Sequence, residues 1–260
     1  MRPRTVTVAL DGSPFAERAI PVAMALANQI GASVRFVEAC TDEEPDAERV
    51  YLDRIARDHG VSDTTFVQDR RPTEALVDAA EGVGGTLCMT SHGRGKLRWS
   101  ALGSVAEDVI RASHRPVLLV GRHCEPPASG RFQNAIVCLD GAPGTDPVEP
   151  LATAWATCLD LAVHAVQVIH PLDVEWAEKP NESVVAAVSR MRSQGLDARH
   201  VLLRSRLPAH AIADYVETVP DSIVLMSSHS RTGVARVALG SVAMGVVAMS
   251  VAPVVITHPA

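Results

Sequence analysis

The sequence predicts two tandem α/β units, each built from five mostly parallel β-strands with helices on both faces of the sheet. Three observations support this fold class. One stretch of the chain is repeated, short β-rich runs alternate with longer helical segments, and several of the β-rich runs are apolar nearly throughout. Such apolar runs are typical of parallel strands buried on both faces, and the alternation is typical of right-handed βαβ connections.

The repeated stretch indicates that a whole domain is duplicated. Residues 91–120 ("SHGRGKLRWSALGSVAEDVIRASHRPVLLV") and 228–257 ("SHSRTGVARVALGSVAMGVVAMSVAPVVIT") are identical at 13 of 30 aligned positions. Upstream, "VTVALDGSP" around Asp11 corresponds to "AIVCLDGAP" around Asp140. A period this long is typical of a duplicated domain and not of a solenoid. The proline-rich stretch "RHCEPPASGRFQ" predicts a linker, and the resulting division is domain 1–122, linker 123–133 and domain 134–260.

The elements of the first unit follow from apolar periodicity and turn residues. A β-rich run over Thr5–Leu10 ends at the turn "DGSP", after which Pro14 opens a helix that stops at Gly31. Asp46–His59 has the period of an amphipathic helix, and "PTEALVDAAE" starts a further helix on proline. The remaining elements are strands at Ser33–Ala39, Thr64–Gln68, 86–91 and 116–120 and a helix at Ser104–Ala112.

The second unit repeats this order of elements. Its strands are predicted at Asn134–Leu139, Ala162–Ile169, Ala198–Leu203, Ser222–Ser227 and Val254–Ile256. In both units the first, fourth and fifth strands are apolar nearly throughout, so we expect them to be buried on both faces. The pattern therefore predicts two doubly wound sheets in one chain.

Composition is that of a folded protein and argues against several classes of function. Hydrophobic residues make up 47% and charged residues 21% of the chain, and the formal net charge is −6. This charge argues against sequence-independent binding to nucleic acid phosphates. No apolar run reaches the roughly 20 residues that span a bilayer. The five cysteines are scattered without a C-x-x-C pair. They indicate reduced thiols, a cytoplasmic location and no zinc site.

A ligand site is predicted where two glycine-containing loops follow strands one and four. In an open parallel sheet, ligands bind beyond the carboxyl ends of the strands where strand order reverses. Strand one is followed by Asp11, and strand four leads to Gly103 and Ser104 at a helix start, whose amide groups attract an anion. Ser104 is the expected N-cap. The alternative interpretation is structural, because Asp-Gly is also a common turn and Gly-Ser a common helix start.

With these motifs the chain resembles a tandem universal stress protein over essentially its whole length. Nucleotide-binding members of that family carry G-x-x-G-x9-G-[S/T] after strand four. The first unit matches from the second glycine, with Gly93, nine residues and then Gly103 and Ser104, and it has Thr90 at the first glycine. The resemblance implies flavodoxin-like (HUP-type) sheets of order 3-2-1-4-5. It also implies an internal pseudo-dimer paired through the fifth strands, and a homodimer as a further step.

The second unit departs further from the family motif. It keeps Gly240 and Ser241 after nine intervening residues, but Ser227 and Ser230 occupy both earlier glycine positions. A serine where φ must be positive costs on the order of 1 kcal/mol, and its Cβ obstructs close approach of the backbone. We therefore expect a nucleotide in the first unit and none in the second.

The resemblance implies that the ligand is ATP, with or without Mg²⁺. It places the adenosine near Asp11, its loop and the backbone at Val37, and the ribose and phosphates near the loop and helix after strand four. The candidate binding residues of the first unit are Asp11, Gly12, Ser13, Val37, Thr90, His92, Gly93, Arg94, Gly103, Ser104 and Val105. Their counterparts in the second unit are Asp140, Gly240 and Ser241.

Three functions are compatible with these residues. The first is an adenine-nucleotide-binding stress-response regulator that signals through its dimer surfaces to partner proteins that the sequence does not name. The second is a nucleotide-free interaction and dimerisation module in which Gly-Ser only starts a helix. The third is a slow ATP hydrolase, which the sequence disfavours because no catalytic base or arginine finger is evident. The glycine pattern favours the first function for unit one and the second for unit two.

Other catalytic and metal motifs fail on spacing. A P-loop ending at Lys96 would need glycine at position 90 and serine or threonine at position 97, where the chain has Thr90 and Leu97. His92 and His229 recur at one position of the two units, but neither has a second ligand at metal spacing. A hydrolase elbow G-x-S-x-G is also missing. No metal site and no catalytic residue is therefore predicted.

Overall fold

The structure is a computed structural model that describes residues 3–40, 46–68, 71–93, 102–141, 146, 148–172, 181–228 and 239–257. In the first unit the strands are β1 (Thr5–Leu10), β2 (Ser33–Cys40), β3 (Asp63–Gln68), β4 (Thr86–Thr90) and β5 (Val117–Val120). The helices of this unit are α1 (Ala19–Ile30), α2 (Asp46–Asp58), α3 (Pro72–Glu81) and α4 (Ser104–Ala112).

The second unit repeats the same order. Its strands are β6 (Asn134–Cys138), β7 (Ala162–Ile169), β8 (Ala198–Arg204), β9 (Ser222–Ser227) and β10 (Val254–Thr257). Its helices are α5 (Val148–Leu159), α6 (Glu182–Ser193), α7 (Pro208–Glu217) and α8 (Ser241–Met249). All ten predicted strands are confirmed, and each boundary agrees with the sequence pattern to within one residue.

The first helix begins later than the sequence pattern predicts. A 3-10 turn at Ala16–Arg18 precedes α1, which starts at Ala19 and not at Pro14. Ser13 is the cause, because its hydroxyl oxygen accepts the amide of Ala16 at 3.1 Å and holds a tight turn there. The predicted stop at Gly31 is confirmed, with a left-handed φ of 64° that ends α1.

Each unit has the predicted strand order 3-2-1-4-5, and the two sheets join into one. The ten strands run in the order β3-β2-β1-β4-β5-β10-β9-β6-β7-β8. Strands within a unit are parallel, whereas β5 and β10 are antiparallel, with Leu118 opposite Val255. β1 therefore lies between β2 and β4, and the strand order reverses at the β1–β4 junction. β6 lies in the same way between β7 and β9.

Two apolar layers cover the sheet, and each contains residues of both units. One layer packs α1, α2, α5 and α6 against the sheet, with Ile20 and Met191 among its fully buried members. The other packs α3, α4, α7 and α8 on the opposite face, with Leu119 and Val246 at its centre. β1, β4 and β5 are buried along their whole length, as the apolar runs predict.

The segment between the two units is packed into this core and is not a loose tether. It contains no helix or strand over residues 121–133, all of which the structure describes. Cys124 and Phe132 are nevertheless each only 2% exposed, and burial raises the pKa of Cys124 to about 12. The side chain of Gln29 on α1 donates to the carbonyl oxygens of Phe132 at 2.8 Å and of Leu159 at 2.7 Å. Gln29 thus ties α1 both to the linker and to the end of α5.

The hydroxyl of Thr7, in the middle of β1, is fully buried and has no hydrogen-bond partner among the described residues. Thr7→Val removes a desolvated hydroxyl at nearly constant volume, so we expect it to raise the free energy of unfolding by about 1 kcal/mol. Urea denaturation measures this change. Thr5→Val is the control, because the hydroxyl of Thr5 lies 3.0 Å from that of Ser33. Thr5→Val should therefore lower the free energy of unfolding. A lower free energy of unfolding in Thr7→Val would contradict the expectation.

Candidate functional site

A cavity lies at the carboxyl ends of β1 and β4, where the strand order reverses. Its volume is about 530 Å³, within the range of roughly 300–1,000 Å³ that is typical of small-molecule sites. The carboxyl ends of β1, β2 and β4 and the described residues that follow β1 and β4 form its rim, and α3 and α4 form one side. Seven of the predicted site residues line it, namely Asp11, Thr90, His92, Gly93, Gly103, Ser104 and Val105.

The loop after β1 is held in one conformation by the carboxylate of Asp11. Its Oδ1 accepts the amide of Ser13 at 3.0 Å and the hydroxyl of Ser13 at 2.6 Å. Gly12 lies between them with a φ of 76°, a conformation that a side chain would strain. Gly12 and Ser13 therefore shape the loop and orient Asp11, but they do not line the cavity themselves.

The loop after β4 brings Gly93 directly against Asp11. A Cβ built on Gly93 would overlap Oδ2 of Asp11, so any side chain at this position would have to displace that carboxylate. Thr90, the last residue of β4, donates its hydroxyl to the carbonyl oxygen of His92 at 2.6 Å. The ring of His92 is held by the hydroxyl of Ser91, 3.0 Å from Nδ1, and by an edge contact with Phe15. The histidine is therefore a fixed part of the cavity rim.

The helix start that faces the cavity differs from the prediction at Ser104. Gly103 is the N-cap, with φ −76° and ψ 154°, and Ser104 is the first helical residue without a capping hydrogen bond from its side chain. The amide of Gly103 donates to the carbonyl oxygen of Ser91 at 2.7 Å, which fixes the extended cap. The first amides of α4, beginning at Ser104 and Val105, have no partner within the helix and can meet an anion.

The role of the glycines also differs from the prediction. Neither Gly93 nor Gly103 has a positive φ. Backbone strain, the expected reason, therefore does not explain why glycine occurs at these two positions. A side chain at position 93 would have to displace the carboxylate of Asp11, whereas a Cβ at Gly103 would meet only ordinary contacts at 3.4 Å. Thr90 and Ser227 end β4 and β9 in extended conformation, so the residues at the first glycine position extend the strand without strain.

The described wall of the cavity is acidic, with carboxylates on Asp11, Glu38, Glu48 and Glu107 and no lysine or arginine. Glu38 is only 1% exposed. Burial, together with the negative charges of Glu17, Glu38 and Asp11, raises the pKa of Tyr51 on α2. Glu107 is paired with Arg111 one turn later at 3.0 Å. Such a wall suits the hydroxyl and amino donors of a ligand, and an anionic group is favoured only at the start of α4.

The cavity has an apolar side and a buried carboxylate that were not predicted from the sequence. Leu76 on α3, Met89 at the end of β4 and Leu102 before α4 give the cavity an apolar side. For Glu38 a signal existed, because a single carboxylate interrupts the apolar run "FVEAC" of β2. Val37, which precedes Glu38, is one of the predicted binding residues. Its side chain is fully buried in the core, and it does not line the cavity. Arg94 lies outside the described residues.

The second unit has a smaller cavity at the equivalent place, with a volume of about 380 Å³. All three predicted counterparts, Asp140, Gly240 and Ser241, line it. The loop after β6 is tied down, since the amide nitrogen of the Asn181 side chain donates to the carbonyl oxygen of Gly141 at 2.8 Å. Burial raises the pKa of Cys138 on the wall to about 12, so its thiol is protonated at neutral pH.

The described residues include neither a membrane-spanning helix nor a cluster of metal ligands. None of their helices has the length and apolar character that a membrane crossing requires. Within the same residues, no group of three or more histidine, cysteine, aspartate or glutamate side chains is arranged to hold a metal ion.

Comparison with known proteins agrees with the duplicated fold. A universal stress protein of Mycolicibacterium smegmatis is 23% identical over 225 residues, which cover 82% of this chain and 74% of that protein. Universal stress protein Rv1996 of Mycobacterium tuberculosis is 29% identical over 184 residues, which cover 64% of this chain but only 56% of that protein.

The solved structures and the family model extend this agreement to both units. A universal stress protein from Archaeoglobus fulgidus has the same fold with a TM-score of 0.71 at 16% identity, and the match covers 100% of both chains. The model of the Universal stress protein family matches residues 38–121 and again residues 131–258. The two matches fall on the two units and together include most of the chain, so the chain belongs to the universal stress protein family.

Proposed function

We propose that this chain is an adenine-nucleotide-binding stress-response regulator and that the nucleotide occupies the cavity of the first unit. One observation carries the proposal: Gly93, bare of a side chain, lies against the carboxylate of Asp11 beside the open amides of α4. The cavity thus has an acceptor for the hydroxyl and amino groups of a nucleoside and, next to it, donors for a phosphate. Its apolar side suits a base.

The roles of the residues follow from this arrangement. Asp11 accepts a ribose hydroxyl or a base amino group, and Ser13 keeps its carboxylate oriented. Gly93 and Gly103 let the ligand approach the backbone, and the first amides of α4 meet a phosphate. If Mg²⁺ accompanied ATP, it would supply positive charge that offsets the acidic wall formed by Asp11, Glu38 and Glu48. We propose binding as the main activity, with ATP hydrolysis slow or absent.

For the second unit we propose a nucleotide-free role in interaction and dimerisation. Its smaller cavity and the tie between Asn181 and Gly141 support this assignment. We propose domain limits at 1–122 and 134–260 with a linker at 123–133, and a cytoplasmic protein. The antiparallel pairing of β5 with β10 supports an internal pseudo-dimer of the two units. Association of two chains and signalling to partner proteins are further parts of the proposal.

Calorimetric titration with adenine nucleotides, with and without Mg²⁺, tests the proposed function. Asp11→Asn keeps an oxygen for Ser13 but removes one acceptor and the charge, so we expect affinity to fall about tenfold or more. Asp140→Asn, the matched change in the second unit, should leave affinity unchanged. Absence of binding to the wild-type protein, or equal losses in both variants, would contradict the proposal.

A further inference from the structure

The second unit contains a cluster of one buried histidine, His164, with an arginine and a tyrosine, and the proposed nucleotide site does not include it. His164 on β7 is only 4% exposed. Its Nε2 lies 3.1 Å from a guanidinium nitrogen of Arg199, and its Nδ1 lies 2.9 Å from the hydroxyl of Tyr215. Arg199 is the neighbour of His164 on β8, and Tyr215 is on α7. The ring thus joins the outer edge of the sheet to the helix that covers it.

These contacts define the charge of the ring. A guanidinium can only donate, so Nε2 of His164 accepts, the ring proton lies on Nδ1, and the ring is neutral. Burial and, second, the charge of Arg199 lower the pKa of His164, while Asp197 acts in the opposite direction. The neighbour on β6 is Ile136, which carries no charge. The cluster as a whole therefore favours neutral His164.

The corresponding place in the first unit holds a different pair. Arg35 is the third residue of β2, as His164 is of β7, and its neighbour on β3 is Asp63. Nε of Arg35 and Oδ2 of Asp63 lie 2.9 Å apart. The first unit therefore has an arginine–aspartate pair, and no histidine, at the position that His164 occupies in the second.

We propose that His164 is an acid-sensitive latch that holds α7 on the sheet of the second unit. A proton on Nε2 removes the acceptor that Arg199 uses and places two cations side by side. Arg199 is exposed and can turn into solvent, but the buried imidazolium can be hydrated only when α7 moves away. Pro208 and Ile212 of α7 line the second cavity. Acid therefore weakens the packing of α7, which forms one wall of that cavity. This effect is independent of any nucleotide bound in the cavity of the first unit.

The direction and size of the effect follow from proton linkage. A histidine whose pKa in the folded state lies below its ordinary value of about 6.5 stabilises the fold fully above that pH and less below it. The opening equilibrium of α7 should therefore rise by up to about tenfold for each pH unit below about 6.5, until the folded-state pKa is reached.

Hydrogen exchange of the full chain between about pH 7.5 and about pH 5.5, corrected for the intrinsic exchange rate, tests the latch. We expect the amides of α7 to lose protection in acid, whereas those of α3, the equivalent helix of the first unit, keep it. His164→Gln cannot titrate and should abolish the acid response of α7. His200→Gln, a change at an exposed position on β8, should preserve the response.

Two results would overturn the latch. One is an equal loss of protection in α3 and α7, and the other is an unchanged acid response in His164→Gln. If that variant does not fold, the double change His164→Arg and Arg199→Asp installs the pair of the first unit and should also remove the response. A histidine titration by NMR in the wild-type protein completes the test, because a pKa of His164 at or above the ordinary value would equally overturn the proposal.

Discussion

Replacing Gly103 with valine is expected to weaken adenine nucleotide binding by about 100-fold or more, which corresponds to about 2.8 kcal/mol. The backbone of Gly103 has φ −76° and ψ 154°, which valine adopts readily. A Cβ there meets its nearest neighbours at 3.4 Å, so the fold should tolerate the change. Gly103 lines the cavity immediately before α4, so we expect the added side chain to narrow the space where a phosphate would meet the helix start. Equilibrium dialysis with labelled nucleotide measures the loss.

Gly240→Val is the matched control for this substitution. Gly240 is the N-cap of α8, its amide donates to the carbonyl oxygen of Ser228 at 2.9 Å, and it lines the second cavity. If the nucleotide lies only in the first unit, affinity should not change in this variant. Unchanged affinity in Gly103→Val, with the melting temperatures of both variants near that of the wild type, would remove the proposed phosphate position.

Phe132→Ala is expected to lower the free energy of unfolding by about 3–5 kcal/mol, a large loss for a linker residue. The ring of Phe132 is 2% exposed and belongs to an apolar layer with residues of both units. Its backbone amide donates to Oε1 of Gln29 on α1 at 2.8 Å. Because this core is shared, we expect one cooperative transition in urea for the wild type and the variant.

An exposed leucine provides the control for the linker. Leu207, which precedes α7, is 58% exposed, so Leu207→Ala should change stability by less than about 0.5 kcal/mol. A similarly small effect of Phe132→Ala, or separate transitions of the two units in the wild type, would contradict a core that runs through the linker. The measurement thus tests whether the duplicated units act as one body.

The fold could be predicted from the sequence because its elements depend on local patterns. Thr5–Leu10 and Ser104–Ala112 are observed with the predicted limits, since an apolar run and a glycine-bounded helical period define them locally. Gly31 ends α1 through a left-handed φ that few other residues adopt. The position of the first cavity agrees with the strand order that the family resemblance implies, because the carboxyl ends of β1 and β4 meet wherever this order occurs.

Features that depend on contacts distant in sequence could not be predicted in this way. The close fit of Gly93 comes from the position of Asp11, far away in sequence, and not from its own φ. Burial of the proline-rich linker depends on Phe132 and Gln29, whose pairing leaves no local pattern. The late start of α1 has a different reason, because the hydrogen bond of Ser13 is local but does not alter the apolar period of the helix.

The most direct test of the nucleotide assignment is a crystal structure of the chain with an adenine nucleotide and Mg²⁺. The account predicts one nucleotide per chain, with its nucleoside beside Asp11 and a phosphate at the first amides of α4. It predicts no nucleotide between Asp140 and Ser241. A first cavity without nucleotide at saturating ligand, or a nucleotide bound in the second cavity instead, would contradict it.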